Sequence, residues 1–319
     1  MNLAEELALD PIACRVAFGA ARVVVEASGR AGERGCALLD VLSRSLGLGA
    51  GWEESLPPVT PDDLAAAFPS PKARRALVDA LLIPACIEGT VTPEGETVVR
   101  GYAAALAVRS HWVDLLPALR KGHVFAVKRQ LARRSPDARR LFARTWSEEG
   151  IGGLWRALLF VLGRYEDPAL AARFHALASL PSGTLGRTFH DALVSRSLSF
   201  PGEVGGLPER MLHHDLMHVI NGYGTDAAGE CEVAGFYAGF CEGDAFTFIV
   251  IALSTFHLGL AVSPAIVTTT RGAFDPARVL AAFLRGRRLN DDVMGRWDYW
   301  SLMPLPIQDA RERLGIGSR

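Results

Sequence analysis

The apolar stretches of this chain are rich in alanine and leucine, and most open on a short polar residue followed by proline. The pairs are Asp10-Pro11, Thr60-Pro61, Ser70-Pro71, Thr92-Pro93, Ser135-Pro136, Asp167-Pro168 and Asp275-Pro276. A short polar side chain can accept from the free amides of a first helical turn. Proline suits the next position because its missing N–H had no partner there. Apolar–polar alternation with a period of two is scarce, and its nearest instance, "TVTPEGETVV", is broken by Pro93. The pattern predicts an all-α protein.

Three zones differ in character and predict two helical domains joined by a basic connector, a division that agrees with a length of 319 residues. Residues 1–108 contain an inexact internal echo. "VVVEASGRAGERGCALLDVLSRSLGLG" and "LLIPACIEGTVTPEGETVVRGYAAALAV" share a helix, a Gly-containing turn, a glutamate a few residues on, and a second apolar helix. This layout resembles the tellurite-resistance TerB-like domain, whose two helix pairs each turn through an acidic residue and a glycine. Glu88 fits the acidic position and Ser28 departs from it. A plain repeat of helical hairpins reads equally well.

Residues 109–150 form the connector. From Arg109 to Arg144, ten Lys or Arg stand against two Asp, interleaved with Val124, Phe125, Val127, Leu131, Leu141 and Phe142. A helix of this kind can lie on an anionic membrane surface, or simply turn a solvated face outward while packing on the rest of the chain. Residues 151–319 carry the candidate chemistry.

Composition narrows the classes. With 49% hydrophobic and 22% charged residues the chain can bury a core and is not disordered. A formal net charge of -1 argues against nucleic acid as an obligatory partner. The cysteines (Cys14, Cys36, Cys86, Cys231 and Cys241) form no close pair, so neither a disulfide framework nor a thiolate zinc site is expected. The acidic start carries no basic-then-apolar signal region, so the expected place is the cytoplasm, with peripheral attachment to the inner face of the membrane as an option. Ala245 to Val262 is 18 residues without Asp, Glu, Lys or Arg, but His257 and several Ser and Thr interrupt it. A buried helix fits it better than a membrane span.

The stretch "LPERMLHHDLMHVI" reads as a helix that ends near "NGYG", with Thr225 or Asp226 capping a second helix after it. His214 and His218 are four apart and share a face, the spacing two imidazoles need to reach one metal ion. In an antiparallel pair, His218 and Glu230 should face each other across the turn. Asp215, rotated about 100° from His214, can ligate from the side or orient a histidine. Two His with one or two carboxylates leave a position for substrate or water. Ordinary polar residues on two packed helices remain the alternative. Beyond the turn, Gly235, Gly239 and Gly243 recur every four residues, and that smooth face allows either close helix packing or a slot for a prenyl chain. Arg187 and Arg271 are candidate partners for a ligand carboxylate or phosphate. Trp297, Tyr299 and Trp300 are expected in the core or at a membrane face, and Glu242 and Asp244, near the middle of an apolar region, need partners.

The order His214-Asp215-Leu216-Met217-His218, eleven residues, then Glu230 resembles the signature of the coenzyme Q biosynthesis protein 4 family. "LPSGTLGRTF", "GYGTDAAGE" and the ending "WDYWSLMPLPIQDARERLGI" agree with it in the same order, over about half the chain. The resemblance implies His214, Asp215, His218 and Glu230 as metal ligands, with zinc the usual ion. It also implies a polyprenylated quinone precursor as substrate, with oxidative removal of the ring carboxylate at carbon one and its replacement by hydroxyl. Zinc does no redox chemistry, so iron(II), which two His and a carboxylate also suit, is a second candidate, and magnesium a third. Implied partners are other quinone-biosynthesis proteins and further copies of the chain. A non-catalytic prenyl-lipid-binding scaffold is the alternative of a different class, and a metal-dependent hydrolase with Asp215 as base is a weaker one.

Overall fold

In the computed structural model, residues 3–49, 59–134, 165–206, 209, 212–241, 245–262, 269–294 and 297–317 are described. The chain runs as helices α1 (Leu3–Glu6), α2 (Pro11–Val25), α3 (Glu33–Ser45), α4 (Pro61–Ala67), α5 (Pro71–Ala80), α6 (Leu82–Cys86), α7 (Pro93–Ala105), α8 (Leu116–Arg120) and α9 (Val124–Arg134). It continues as α10 (Pro168–His175), α11 (Leu185–Ser195), α12 (Leu212–Asn221), α13 (Ala227–Phe240), α14 (Phe246–Ala252), α15 (Pro276–Gly286) and α16 (Ile307–Arg313). The described residues contain no extended strand, only two isolated bridges, so the protein is all-α.

The polar-residue–proline pairs explain the helix starts. Asp10, Thr60, Ser70, Thr92, Asp167 and Asp275 each accept a backbone N–H of the first turn, with proline directly after. Thr60 and Asp63 close a reciprocal capping box. Ser135-Pro136 lies outside the described residues. Helix α3 lacks such a cap, because its N-cap is Gly32, which offers no side-chain acceptor. Glu88, from the turn between α6 and α7, fills that role by accepting the Gly35 N–H at 2.9 Å. An acid at a helix N-terminus is favoured by the helix dipole, so this bond ties the two echoing hairpins together.

Two apolar clusters form the core. The first joins Phe18, Leu39, Leu64, Leu82, Ile87 and Val99 to Trp112, Leu116, Val127 and Leu131, and also takes in Ile249, Leu253, Phe256 and Val279. Residues on both sides of position 108 therefore share one core, and α14 is part of it. The second gathers Phe174, Leu185, Phe189, Leu212, Leu216, Phe236, Leu302 and Leu314. Helix α13 sends Cys231 into the first cluster and Phe236 into the second.

Its glycines are used for close packing. A Cβ at Gly235 would stand 2.6 Å from the Val279 carbonyl oxygen, and one at Gly239 would stand 2.2 Å from that of Phe283. The backbone of α15 fills the smooth face at these two positions, while Gly243, Glu242 and Asp244 lie outside the described residues. Among the described residues no helix is long and apolar enough to cross a membrane. The apolar run starting at Ala245 instead forms α14 and a π-helical turn, Leu253–His257. His257 is fully buried there. Its Nε2–H donates to the Ile87 carbonyl at 2.8 Å, while Nδ1 accepts from the Phe274 N–H at 3.4 Å. Tyr299 packs in the second core and donates its hydroxyl to Glu209, which also accepts from Trp300 Nε1 at 3.3 Å.

Candidate metal centre

Helix α12 stops where Gly222 turns left-handed, at φ +68°, and the Tyr223 N–H closes back onto the His218 carbonyl at 2.9 Å. Arg311 of α16 donates to the Ile220 carbonyl at 2.5 Å, a cation placed at the negative end of the helix dipole. Four residues later Asp226 caps α13 through the Gly229 N–H at 2.8 Å. Glu230 follows in the first turn of α13, where a carboxylate is favoured. The two helices thus return His218 and Glu230 to the same level.

Three side chains converge across this turn. His214 Nε2 and His218 Nε2 are 3.3 Å apart, and each faces one oxygen of Glu230, at 3.4 Å and 3.3 Å respectively. His214 is 39% exposed, Glu230 24% and His218 4%, so the cluster is open to solvent on the His214 side. Asp215 falls outside the converging set, although the charges of His214, His218, Glu230 and Arg196 all act on it.

The proton positions sharpen the picture. His218 Nδ1 lies 2.8 Å from the Gly224 carbonyl oxygen. A carbonyl can only accept, so Nδ1 carries the hydrogen, and in neutral imidazole Nε2 is then a bare lone pair. That lone pair points at a carboxylate and at a second imidazole nitrogen. Such a gathering of acceptors is unfavourable without a cation or a proton at its centre. Burial pushes the Glu230 carboxyl up, but when His214 and His218 are protonated their Nε2–H bonds and charges outweigh that and hold it at about 2. Burial pushes His214 down, yet Glu230 and Asp215 together raise it. Burial raises Asp215.

The donor set also suits a metal by distance. Two ligands at about 2.0–2.1 Å from a tetrahedral ion lie roughly 3.3 Å from each other, which is the spacing found here. Gly224 provides the outer hydrogen bond that metal-binding histidines usually make. Behind His214, the buried Tyr237 stacks on its ring at 22° with centroids 6.4 Å apart. Tyr237 in turn packs against Phe240 and Phe248, with ring centroids at 5.2 Å and 5.0 Å, giving an aromatic wall beside the cluster.

The two arginines are placed differently. Arg187 is bound by Asp191, both of whose oxygens accept from Nε at 2.9 Å, and by the Ala178 carbonyl at 2.8 Å. Arg271 is exposed, pairs through its backbone with Leu258, and has no ion-pair partner among the described residues. Sequence reasoning missed Gly224 as the outer partner, and it missed Tyr237 and Phe248. It also passed over Gly229, although a glycine inside a first helical turn costs stability and so signals a close approach. A Cβ there would lie 1.8 Å from the Gly224 oxygen.

No family model matches the chain, and no curated protein matches it. Among solved structures, it is similar to one from Nostoc punctiforme named "Putative ubiquinone biosynthesis protein", at 16% identity and a TM-score of 0.34, over 77% of this chain and 99% of that one.

Proposed function

We propose that the protein is a metal-dependent enzyme of ubiquinone-type quinone biosynthesis, which removes the ring carboxylate at carbon one of a polyprenylated aromatic acid and leaves a hydroxyl in its place. The observation that carries this reading is the convergence of His214, His218 and Glu230 at 3.3–3.4 Å, with the His218 tautomer fixed by Gly224. The His-Asp-Leu-Met-His and Glu230 motif gives it its chemical direction. Two imidazoles and one carboxylate form an open donor set of the catalytic kind, better matched to zinc or iron(II) than to magnesium, which prefers oxygen ligands. A bound divalent ion would supply Lewis acidity, and iron(II) would add redox capacity.

The chain's own residues have separable tasks. Gly224 holds His218 with its Nε2 bare, and Asp226 and Gly229 set the turn that presents Glu230. Tyr237, Phe240 and Phe248 form an aromatic cluster that makes the surroundings of His214 apolar, as an aromatic substrate ring would require. Arg271 is the freer candidate for a ligand carboxylate or phosphate, because Arg187 would first have to leave Asp191. Replacing carboxylate by hydroxyl with water as oxygen source releases carbon dioxide, one proton and two electrons, so either an electron acceptor or dioxygen must take part.

The test is restoration of metal-stripped protein with zinc or with iron(II), with and without dioxygen, while release of the labelled carboxyl is followed. Equal activity with zinc in the absence of oxygen would end the iron variant of the proposal. Glu230→Gln separates the enzyme from a lipid-binding scaffold. Lost turnover with the prenylated acid still bound supports catalysis, and unchanged pathway flux supports the scaffold.

A further inference from the structure

Helix α9 carries an outward face that neither the core nor the metal cluster uses. Val127 and Leu131 are buried against α8, α14 and the turn Val113–Leu115. The opposite side exposes Phe125, Lys128, Arg129, Ala132 and Arg133. At about 100° per residue these five fall within an arc of roughly 140°. Phe125 lies near its centre, with Lys128 to one side and Arg129 and Arg133 to the other. Phe125 is 78% exposed, the most exposed large apolar side chain described.

The charges on this stripe differ from those beside it. Glu96 neutralises Arg100 and Arg120 at 3.1 Å and 3.0 Å. Lys128, Arg129 and Arg133 have no ion-pair partner among the described residues. Three uncompensated cations around a solvated phenyl ring, in a chain of net charge -1, form a local feature rather than a general basicity. An aromatic ring that enters the headgroup layer while flanking Lys and Arg meet lipid phosphates satisfies both halves of the pattern at once. Duplex nucleic acid would use the cations but leave Phe125 in water.

We infer that the Phe125–Lys128–Arg129–Arg133 face of α9 is a docking surface for an anionic lipid bilayer, with the helix lying in the interface plane. This does not rest on the metal-dependent reading, and metal content measured in the same samples is expected to stay constant.

The test is sedimentation of the full chain with vesicles of phosphatidylcholine alone and of an equal phosphatidylcholine–phosphatidylglycerol mixture. Wild type is expected to partition onto the mixed vesicles, more weakly as salt is raised. The double substitution Lys128→Glu with Arg129→Glu is expected to weaken partitioning by at least about tenfold. Phe125→Ser is expected to weaken it several-fold. All side chains involved are exposed, so helicity and thermal midpoint should not move; if the double variant fails to fold, Phe125→Ser and Arg133→Glu carry the test. Equal binding to neutral vesicles, or variants that bind like wild type, overturn the inference. So does binding to a DNA duplex without binding to vesicles, or an oligomer that Phe125→Ser converts to monomers.

Discussion

Gly229 lies so close to Gly224 that a Cβ on it would come within 1.8 Å of the Gly224 carbonyl oxygen, the atom that accepts from His218 Nδ1. The glycine before Glu230 thus sets the orientation of a histidine eleven residues earlier. Gly229→Ala is expected to cost about 1–3 kcal/mol by overpacking and to weaken zinc binding by roughly tenfold or more, as loss of an outer hydrogen bond does. Thermal unfolding and chelator competition measure the two effects. A variant that binds zinc as wild type does would show that His218 needs no help from Gly224.

The converging set includes Glu230 and leaves out Asp215, whereas the motif that the sequence resembles would make ligands of both. Glu230→Gln is therefore expected to abolish stoichiometric metal binding. Asp215→Asn should keep the ion with affinity lowered by about ten- to a hundredfold, as for an orienting neighbour. Metal content after gel filtration decides, and equal loss in Asp215→Asn and Glu230→Gln would make Asp215 a direct ligand.

The two arginines separate by their engagement. Arg271→Gln is expected to raise KM for an acidic substrate with metal content unchanged. Arg187→Gln should leave KM within about twofold and cost under about 1 kcal/mol, because its pairing with Asp191 is solvent-exposed. Steady-state kinetics with thermal melts checks both, and the reverse order of KM effects would exchange their roles.

Burial holds the buried imidazole of His257 below its ordinary 6.5. The unfolded chain takes up a proton near that value and the folded chain only at lower pH. Stability from this group is therefore complete above about pH 6.5 and is lost as pH falls below it. Wild type is expected to lose more thermal stability between pH 7 and pH 5 than His257→Gln, which can keep bonds to Ile87 and Phe274. Parallel pH profiles of the two proteins would remove His257 from the acid response.

Much of the local structure was legible because its causes are local. Six polar-residue–proline pairs cap helices because capping needs only a side chain and the next three amides. His214 and His218 share a face by helical period alone. The glycine face of α13 allowed two outcomes, and the backbone of α15 chose close packing at Gly235 and Gly239. The zones divided at residue 108 by composition share a core, because Trp112, Leu116 and Val127 belong to the same apolar cluster as residues of α2, α3 and α7.

The sequence by itself determined an all-α chain, its helix starts, and a His-Asp-Leu-Met-His helix turning back toward Glu230. These follow from propensity, capping and periodicity, which act over a few residues. Only the tertiary structure decided that His214, His218 and Glu230 meet while Asp215 stands aside, that Gly224 fixes the His218 proton, and that Glu88 caps a helix 53 residues away. Those outcomes depend on distances between segments, which packing sets and no local pattern encodes.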